Sequence, residues 1–145
     1  MKIIVFAFFA CLLALPLSAQ TWTKSFAEAE TLAVKNGKNI VLVFAGSDWC
    51  APCMRLDREI WSAEGFADAA GKDFVFYKAD FPRRKANQLP QEISDKNAQL
   101  AERYNTVGSF PLVVILSPTG KVLGQTGYKD VPATEYLGLL KSFGR

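Results

Sequence analysis

The sequence predicts an α/β protein in which a central mixed β-sheet of about four strands is flanked by helices on both faces. Segments with apolar residues at helical spacing alternate along the chain with short, β-branched apolar runs. The last two of these runs flank a turn that contains Pro and Gly, and a final helix follows them. Alternation favours parallel strands and the hairpin adds an antiparallel pair, so the predicted sheet is mixed.

The first elements are a helix, a strand and the helix that follows it. Residues 25–36 carry apolar side chains at helical spacing, and Gly37 is suited to the C-cap. Residues 40–45 are too few and too β-branched for a helix, so we predict a central strand. The next helix runs from about residue 50 to 61, with Pro52 in its first turn, where the missing N–H costs nothing.

The middle of the chain holds another strand and a long loop. We read residues 63–70 as a second short helix or a continuation of the preceding one, and residues 74–79 as a buried strand. Residues 81–97 change to polar and basic character. They are predicted to form an exposed loop that leads into a helix over about residues 91–104.

The C-terminal part reads as a hairpin and a helix. Strands are predicted at residues 112–116 and 122–126, joined by a turn whose Pro and Gly suit a hairpin. Residues 132–143 form the last predicted helix, with Pro132 near its start and apolar side chains on one face.

The first nineteen residues have the pattern of a secretory signal peptide. Lys2 supplies a positive charge, residues 3–15 form an apolar core too short to span a membrane comfortably, and Ala19 is a small residue suited to cleavage. We therefore predict a cleaved leader over residues 1–19 and one domain over residues 20–145. Retention as an uncleaved anchor and lipidation of Cys11 are the alternatives.

Charge and cysteine usage narrow the class of protein. The chain has a net charge of +3, and cleavage removes the one charge of the leader and leaves +2, too small to indicate a nucleic acid or membrane partner. Of the three cysteines, cleavage leaves Cys50 and Cys53, which is no disulfide framework. The chain has no histidine, so the usual general base is missing. The remaining pair of thiols is therefore the candidate for chemistry.

Cys50 and Cys53 are predicted to form a reversible dithiol. Residues three apart lie on one helical face, close enough to form a disulfide with little backbone movement. Cys50 falls at the helix N-terminus, where free N–H groups stabilise a thiolate, so it is the expected nucleophile. Cys53, one turn further, is expected to be more buried and to act as the resolving thiol. Ala51 and Pro52 between them restrict the loop and help to set the thiol pKa.

Two other interpretations of the pair are weaker. A zinc site needs about four ligands, and the mature chain offers no histidine and no further cysteine. A purely structural disulfide across so short a loop would stabilise little. The redox reaction itself requires no cofactor and no metal, since the electrons pass between sulfur atoms.

The run Trp49-Cys50-Ala51-Pro52-Cys53 at a strand end, with Phe110-Pro111 about sixty residues later before another strand, resembles the thioredoxin superfamily. The resemblance covers roughly residues 25–145 and implies a thioredoxin fold. Residues 44–50, 56–59 and 80–82 are similar to those of a group of exported bacterial thioredoxin-like proteins.

The resemblance implies roles for three supporting residues. In thioredoxins the proline that corresponds to Pro111 is cis and packs against the cysteine pair. The backbone of the preceding residue, here Phe110, pairs with the substrate as an added strand. Trp49 would then form a wall on one side of the site.

The sequence departs from the thioredoxin pattern in one strand. Thioredoxins bury an aspartate there, whereas residues 41–44 are all apolar. Lys78 matches the lysine that accompanies that aspartate and would lower the thiol pKa alone, unless it only extends its head into water. Asp48 is expected to be exposed. Proton transfer would then rely on water or on Asp57 and Glu59, which are more simply interpreted as part of a solvated helix face.

A short basic run, Arg83, Arg84 and Lys85, stands in the predicted loop. Together with Lys96 it forms either a docking patch for an acidic partner or a solvated loop, and the solvated loop is the simpler interpretation.

These features predict an exported, periplasmic thiol-disulfide oxidoreductase that reduces exported proteins. The direction rests on the resemblance of the motif to thioredoxin and to exported reductases, because strong oxidants commonly have a histidine before the second cysteine. Expected partners are client proteins with disulfides or dithiols and a membrane-bound electron donor, with no nucleic acid; the protein itself is expected to be a monomer. The alternatives are a disulfide oxidase or isomerase, and a binding module or holdase that uses the groove around Trp49, Phe110 and Pro111.

Overall fold

A computed structural model, which describes residues 20–145, contains a four-stranded sheet with helices packed on both faces. The elements in chain order are α1 (Phe26–Asn36), β1 (Asn39–Ala45), α2 (Ala51–Leu56), α3 (Phe66–Ala70), β2 (Phe74–Asp80), α4 (Gln91–Tyr104), β3 (Leu112–Leu116), β4 (Val122–Thr126) and α5 (Ala133–Phe143). The predicted leader, residues 1–19, lies outside the described residues. None of the helices in the described part is long and apolar enough to cross a membrane.

The observed strands begin and end within one residue of the predicted ones. Local signals account for this agreement: α1, for example, begins where the Ser25 hydroxyl accepts the N–H of Glu28, at 3.1 Å, and ends at Gly37 with a φ of 62°. The helix after the cysteines was only partly predicted. Its second half, Asp57–Trp61, is a π-helix, and α3 is a separate helix rather than a continuation.

The sheet has the strand order β2-β1-β3-β4. β1 pairs parallel to β2 and antiparallel to β3, and β3 pairs antiparallel to β4. β1 is thus a central strand, and its residues from Ile40 to Ala45 are buried. Because β1 pairs with a strand on each side, its carboxyl end is fixed, and so is the start of the segment that leads to α2.

Two apolar cores lie on opposite faces of this sheet. Val41 and Val43 of β1 belong to the core that α2, α3 and α5 cover, whereas Ile40, Leu42 and Phe44 belong to the core under α1 and α4. The first core is rich in aromatic residues. At its centre the Trp61 ring makes edge contacts, with centroids 5.4–6.0 Å apart, to the rings of Trp22, Phe66, Phe76 and Tyr136.

The N-terminal end of the described chain covers part of the free edge of β2. Trp22 forms an isolated parallel bridge with Phe76, and the Thr23 N–H donates to the Phe76 carbonyl oxygen at 3.0 Å. This pairing shields an edge strand that would otherwise present unpaired backbone groups.

Candidate functional site

Cys50 and Cys53 lie at the junction between β1 and α2. After β1 ends at Ala45, the backbone turns sharply, because the N–H groups of Trp49 and Cys50 both donate to the carbonyl oxygen of Gly46, at 3.2 and 2.9 Å. Cys50 is the N-cap of α2. The two cysteines are joined by a disulfide, with Cα atoms 5.2 Å apart.

The two cysteines are equally buried, which corrects the prediction that Cys53 would be more buried than Cys50. Each is 5% exposed. The reason is that the half-buried side chains of Trp49 and Phe110 pack against the core that contains both cysteines. Their positions in the helix still differ, because the Cys53 N–H donates to the Cys50 sulfur at 3.3 Å. The amide groups that open α2 therefore point to Cys50.

Ala51 and Pro52 fill the first two positions of α2, and both side chains are exposed. Proline fits there because the first helical N–H groups have no partner within the helix. Its fixed φ limits the motion of the short segment between the two sulfur atoms.

Four contacts determine the position of the Trp49 side chain. Its indole N–H donates to the Phe81 carbonyl oxygen at 2.7 Å, and its ring lies edge-on to Phe110 with centroids 5.3 Å apart. The Arg83 guanidinium lies over the ring, 3.9 Å from its centroid. A Cβ atom at Gly46 would lie 2.2 Å from Cε2 of Trp49, so the ring occupies space that only glycine leaves free. The indole is thus held tightly next to the cysteine pair.

Phe110 and Pro111 lie just before β3. Their peptide bond is cis, as the resemblance implies. Pro111 is buried, whereas Phe110 is half-buried between the rings of Trp49 and Phe81. The pairing of β3 with β1 begins at Leu112, so the Phe110 backbone lies beyond the end of that ladder.

Lys78 has a carboxylate partner, contrary to the prediction that it acts alone. Its Nζ lies 2.6 Å from Oδ1 of Asp57 and 4.4 Å from the centroid of the Trp22 ring. The Lys78 side chain is 21% exposed and that of Asp57 is 42% exposed, so neither head group is simply solvated. Asp57 follows Cys53 by four residues and therefore lies on the same helical face. An acid–lysine pair is present, but the acid comes from the helix and not from the strand.

Glu59 is also paired rather than solvated. It accepts hydrogen bonds from the Tyr128 hydroxyl, from Arg55 at 3.2 Å and from Arg58 at 3.4 Å. The Tyr128 bond is the main cause that lowers the pKa of Glu59, and the same bond raises the pKa of Tyr128 to about 12. The helical segment that carries the cysteines is thereby linked to the loop after β4.

Asp48 is the residue that sequence reasoning missed. Its carboxylate is half-buried and accepts the backbone N–H groups of Arg83 and Arg84, both at 2.9 Å, and the side-chain amide of Asn87 at 3.0 Å. The Arg83 N–H is the main cause that lowers the pKa of Asp48. No local signal in the sequence identifies this role, because the donors come 35 to 39 residues later in the chain.

Residues 20–145 hold no group of three or more His, Cys, Asp or Glu side chains that could bind a metal ion. The arrangement is suited to thiol–disulfide exchange, for which the sulfur atoms themselves carry the electrons.

Comparisons with known proteins agree with this fold. A family model described as Thioredoxin-like matches residues 21–118. The disulfide bond reductase DsbH of Chlamydia pneumoniae is 33% identical over 119 residues, which cover 82% of this chain and 70% of that protein. A solved structure of a DsbH oxidoreductase superposes with a TM-score of 0.80 at 32% identity, over 87% of this chain and 85% of that one.

A more distant structure shows how general the fold is. A thioredoxin from Thermus thermophilus superposes with a TM-score of 0.63 at 22% identity, over 86% of this chain and 87% of that one, a likeness that concerns the fold. The four-stranded sheet with helices on both faces is the thioredoxin fold that the sequence predicted. This chain therefore belongs to the thioredoxin-like family and is, within it, a protein-disulfide oxidoreductase homologous to DsbH.

Proposed function

We propose that the protein reduces disulfide bonds in exported proteins, with Cys50 as the nucleophile and Cys53 as the resolving thiol. The observation that carries the proposal is the Cys50–Cys53 disulfide at the start of α2, where the Cys50 sulfur accepts the Cys53 N–H. A thiolate at Cys50 would be stabilised by the same amide group and by the helix N-terminus. The reducing direction is supported by the relative that is named a disulfide bond reductase.

The reaction proceeds in two exchange steps. The Cys50 thiolate attacks one sulfur of the client disulfide, and the other client sulfur leaves as a thiolate and takes up a proton. Cys53 then loses its proton and attacks the Cys50 sulfur, which releases the second client thiol. Two electrons have passed to the client, and the protein is left in the disulfide form that the structure describes.

The proton of Cys53 needs an acceptor for the second step. Asp57 lies on the same helical face as Cys53, and its charge is balanced by Lys78 at 2.6 Å. We assign this pair the task of receiving the proton and of placing a positive charge near the sulfurs. Lys78 thus keeps the supporting role that the sequence suggested, but it acts through Asp57.

The client chain is expected to lie against Phe110. The Phe110 backbone lies just beyond the end of the β1–β3 ladder, so an extended client segment can pair with it as an added strand. Trp49 and Pro111 then contact the residues next to the client cysteine. The Trp49 ring is held by its hydrogen bond to Phe81 and therefore offers a preformed surface.

Repeated turnover requires a supply of electrons. Each cycle leaves the Cys50–Cys53 disulfide, which a second dithiol must reduce before the next client is bound. Because residues 1–19 have the sequence pattern of a secretory leader, we propose that the protein is exported and that a membrane-bound donor supplies these electrons in the periplasm.

The equilibrium reduction potential of the Cys50/Cys53 pair tests the direction. Tryptophan fluorescence in defined dithiol buffers would report it, with a Cys50→Ser/Cys53→Ser variant as the background. A potential near about −270 mV, as in thioredoxin, is expected for a reductase, whereas one near about −120 mV, as in a strong oxidant, would contradict the proposal.

Single substitutions test the two roles. We expect Cys50→Ala to abolish client reduction while the fold is retained. Cys53→Ala should instead trap a mixed disulfide between Cys50 and the client, detectable as a reducible conjugate on gels. Unchanged function of Cys50→Ala in the cell would show that the protein acts as a binding module and not through this pair.

A further inference from the structure

The segment between β2 and α4, residues 81–88, is called the basic loop below. It carries three consecutive cations, Arg83, Arg84 and Lys85, and all three are exposed. The sequence has no acidic residue between Asp80 and Glu92. Within residues 20–145, the ion pairs shorter than 4 Å involve other side chains, so these three cations have no carboxylate partner there.

The basic loop is attached to the residues that precede the nucleophile. Asp48 accepts the backbone N–H groups of Arg83 and Arg84, and the Trp49 indole donates to the carbonyl oxygen of Phe81. These bonds hold the backbone of the loop. The Arg83 guanidinium lies over the Trp49 ring, and the side chains of Arg84 and Lys85 extend into solvent. Cys50 follows directly after Asp48 and Trp49 in the sequence. The loop is therefore held next to the segment that carries Cys50.

The two nearby carboxylates, Asp48 and Asp80, offset only part of the charge of the loop, and Asp48 interacts electrostatically with Arg84. Asp48 is bound by three N–H donors, and Asp80 accepts both the backbone N–H and the hydroxyl of Ser47. Both acids are half-buried, whereas the three cations are exposed. A molecule that approaches Cys50 from solvent therefore meets positive charge first.

The distances limit which part of a client can reach the loop. The Cα atoms of Asp48 and Cys50 are at most about 7.6 Å apart, since consecutive Cα atoms are separated by about 3.8 Å. An extended client chain advances about 3.3 Å per residue, so acidic residues within a few positions of the client cysteine can reach the loop that is attached to Asp48.

We propose that the basic loop is a docking surface for acidic side chains that flank the reactive disulfide of the client polypeptide. The inference rests on the proposed function, because it names the class of substrate for that same site. It also replaces the interpretation of Arg83, Arg84 and Lys85 as a merely solvated loop.

The expected effect is moderate and sensitive to salt. One exposed ion pair changes an equilibrium by roughly 1.5- to 5-fold, so two or three together should favour an acidic client by roughly tenfold. Attraction between exposed charges acts mainly on the association rate constant. Salt at physiological ionic strength screens this attraction over about 8–10 Å.

The test uses three cyclic peptides, each closed by one intramolecular disulfide. They differ only at two positions near the disulfide, which are both Glu, both Gln or both Lys. Reduced protein is mixed with each peptide, and the second-order rate constant of disulfide reduction is measured at 20 mM and at 500 mM NaCl. We expect the Glu peptide to react roughly tenfold faster than the Gln peptide at low salt, with most of the preference lost at high salt.

Two loop variants and a matched control assign the effect to the basic loop. Arg84→Gln/Lys85→Gln should remove most of the preference, and Arg84→Glu/Lys85→Glu should reverse it in favour of the Lys peptide. A loss of folding cannot produce such a reversal. The control, Lys35→Gln/Lys121→Gln, removes the same charge from the opposite end of the sheet, where β3 ends and β1 begins, and should keep the preference.

The outcomes separate this inference from the proposed function. Equal rates for the three peptides with wild-type protein, or an unchanged preference in both loop variants, would overturn the docking role while reduction itself is demonstrated. Failure to reduce even the Gln peptide would overturn the proposed reductase function together with the inference that rests on it.

Discussion

At the scale of single residues, the site depends on side chains that are held before any client binds. Trp49 is held by Phe81, Phe110 and Arg83, and the ring fits only because position 46 is glycine. A preformed indole surface lowers the entropy that is lost when a client chain is bound. In the proposed mechanism the two cysteines exchange the disulfide, and Trp49 and its neighbours provide a rigid surface beside them.

Gly46→Ala should impair client reduction. The new Cβ would lie 2.2 Å from Cε2 of Trp49, so the indole must leave its position. We expect a loss of at least tenfold in kcat/KM and a changed tryptophan emission spectrum. Gly138→Ala is the matched control, because a Cβ there meets no atom within 4 Å, and it should stabilise α5 by about 0.5–1 kcal/mol. Equal activity of the two variants would show that the ring position is not required.

Asp57→Asn should slow the second exchange step more than the first. The substitution keeps the shape of the side chain but removes the proton acceptor that faces Lys78. Quenched-flow measurement should find mixed disulfide accumulating at neutral pH, with less accumulation as the pH rises and Cys53 ionises without help. Asp68→Asn, on the exposed surface of α3, is the control. A mixed disulfide that resolves at the wild-type rate would argue against the assignment.

At the scale of elements, the helical segment after Cys53 is tied to two other parts of the fold. Asp57 binds Lys78 in β2, and Glu59 binds Tyr128 in the loop after β4. Both acids lie in the π-helical segment Asp57–Trp61, whose wider turn changes the direction of the side chains relative to an α-helix. The helix with the cysteines is therefore positioned by polar contacts at its C-terminal half as well as by its apolar face.

Tyr128→Phe tests this link through its pH dependence. The folded pKa of Glu59 is below its ordinary value, so the bond contributes stability above that ordinary value, and the contribution is lost as the pH falls through the lowered pKa. We expect Tyr128→Phe to be less stable than wild type at pH 7, and the difference to shrink towards pH 3. Urea unfolding at pH 3, 5 and 7 measures this; a difference independent of pH would contradict the role of Glu59.

The stability that the Tyr128–Glu59 hydrogen bond contributes is also lost at high pH. The folded pKa of Tyr128 is raised from 10 to about 12, so its contribution is complete below pH 10 and is lost as the pH rises through about 12. The difference between wild type and Tyr128→Phe should therefore also shrink at the alkaline end, wherever the protein remains folded.

At the scale of the whole molecule, one sheet separates two apolar cores, and only one of them contains the cysteines. The core under α1 and α4 is separated from the cysteines by β1, whereas the aromatic core under α2, α3 and α5 includes both cysteines. Trp61 is at the centre of that aromatic core and is 2% exposed. The stability of the active-site helix and that of the domain are therefore closely coupled.

Trp61→Ala should destabilise the domain by about 3–5 kcal/mol, since it removes a large buried ring and leaves a cavity. Because β1, β2 and β3 contribute side chains to both cores, unfolding followed by fluorescence and by far-UV circular dichroism should remain one coincident transition. Val34→Ala, at a position that is 65% exposed on α1, should change the stability little. Separate transitions for the two probes would show that the cores unfold independently.

Local sequence signals determined the elements, the cysteine pair and the fold class of this protein. The strands were predicted from short apolar runs and from the hairpin turn, the cysteine spacing predicted the disulfide, and the two-residue signal Phe110-Pro111 marked the site through resemblance. These properties depend on residues that are close in sequence or on a known motif, so periodicity and spacing are sufficient to find them.

Only the tertiary structure decided how the site is assembled. The equal burial of Cys50 and Cys53, the pairing of Asp57 with Lys78, and the attachment of the basic loop to Asp48 all join residues from separate elements. Such contacts depend on strand order and on the direction in which each helix crosses the sheet. A pattern of neighbouring residues does not contain that information, because burial and charge pairing are properties of the packed chain and not of any one segment.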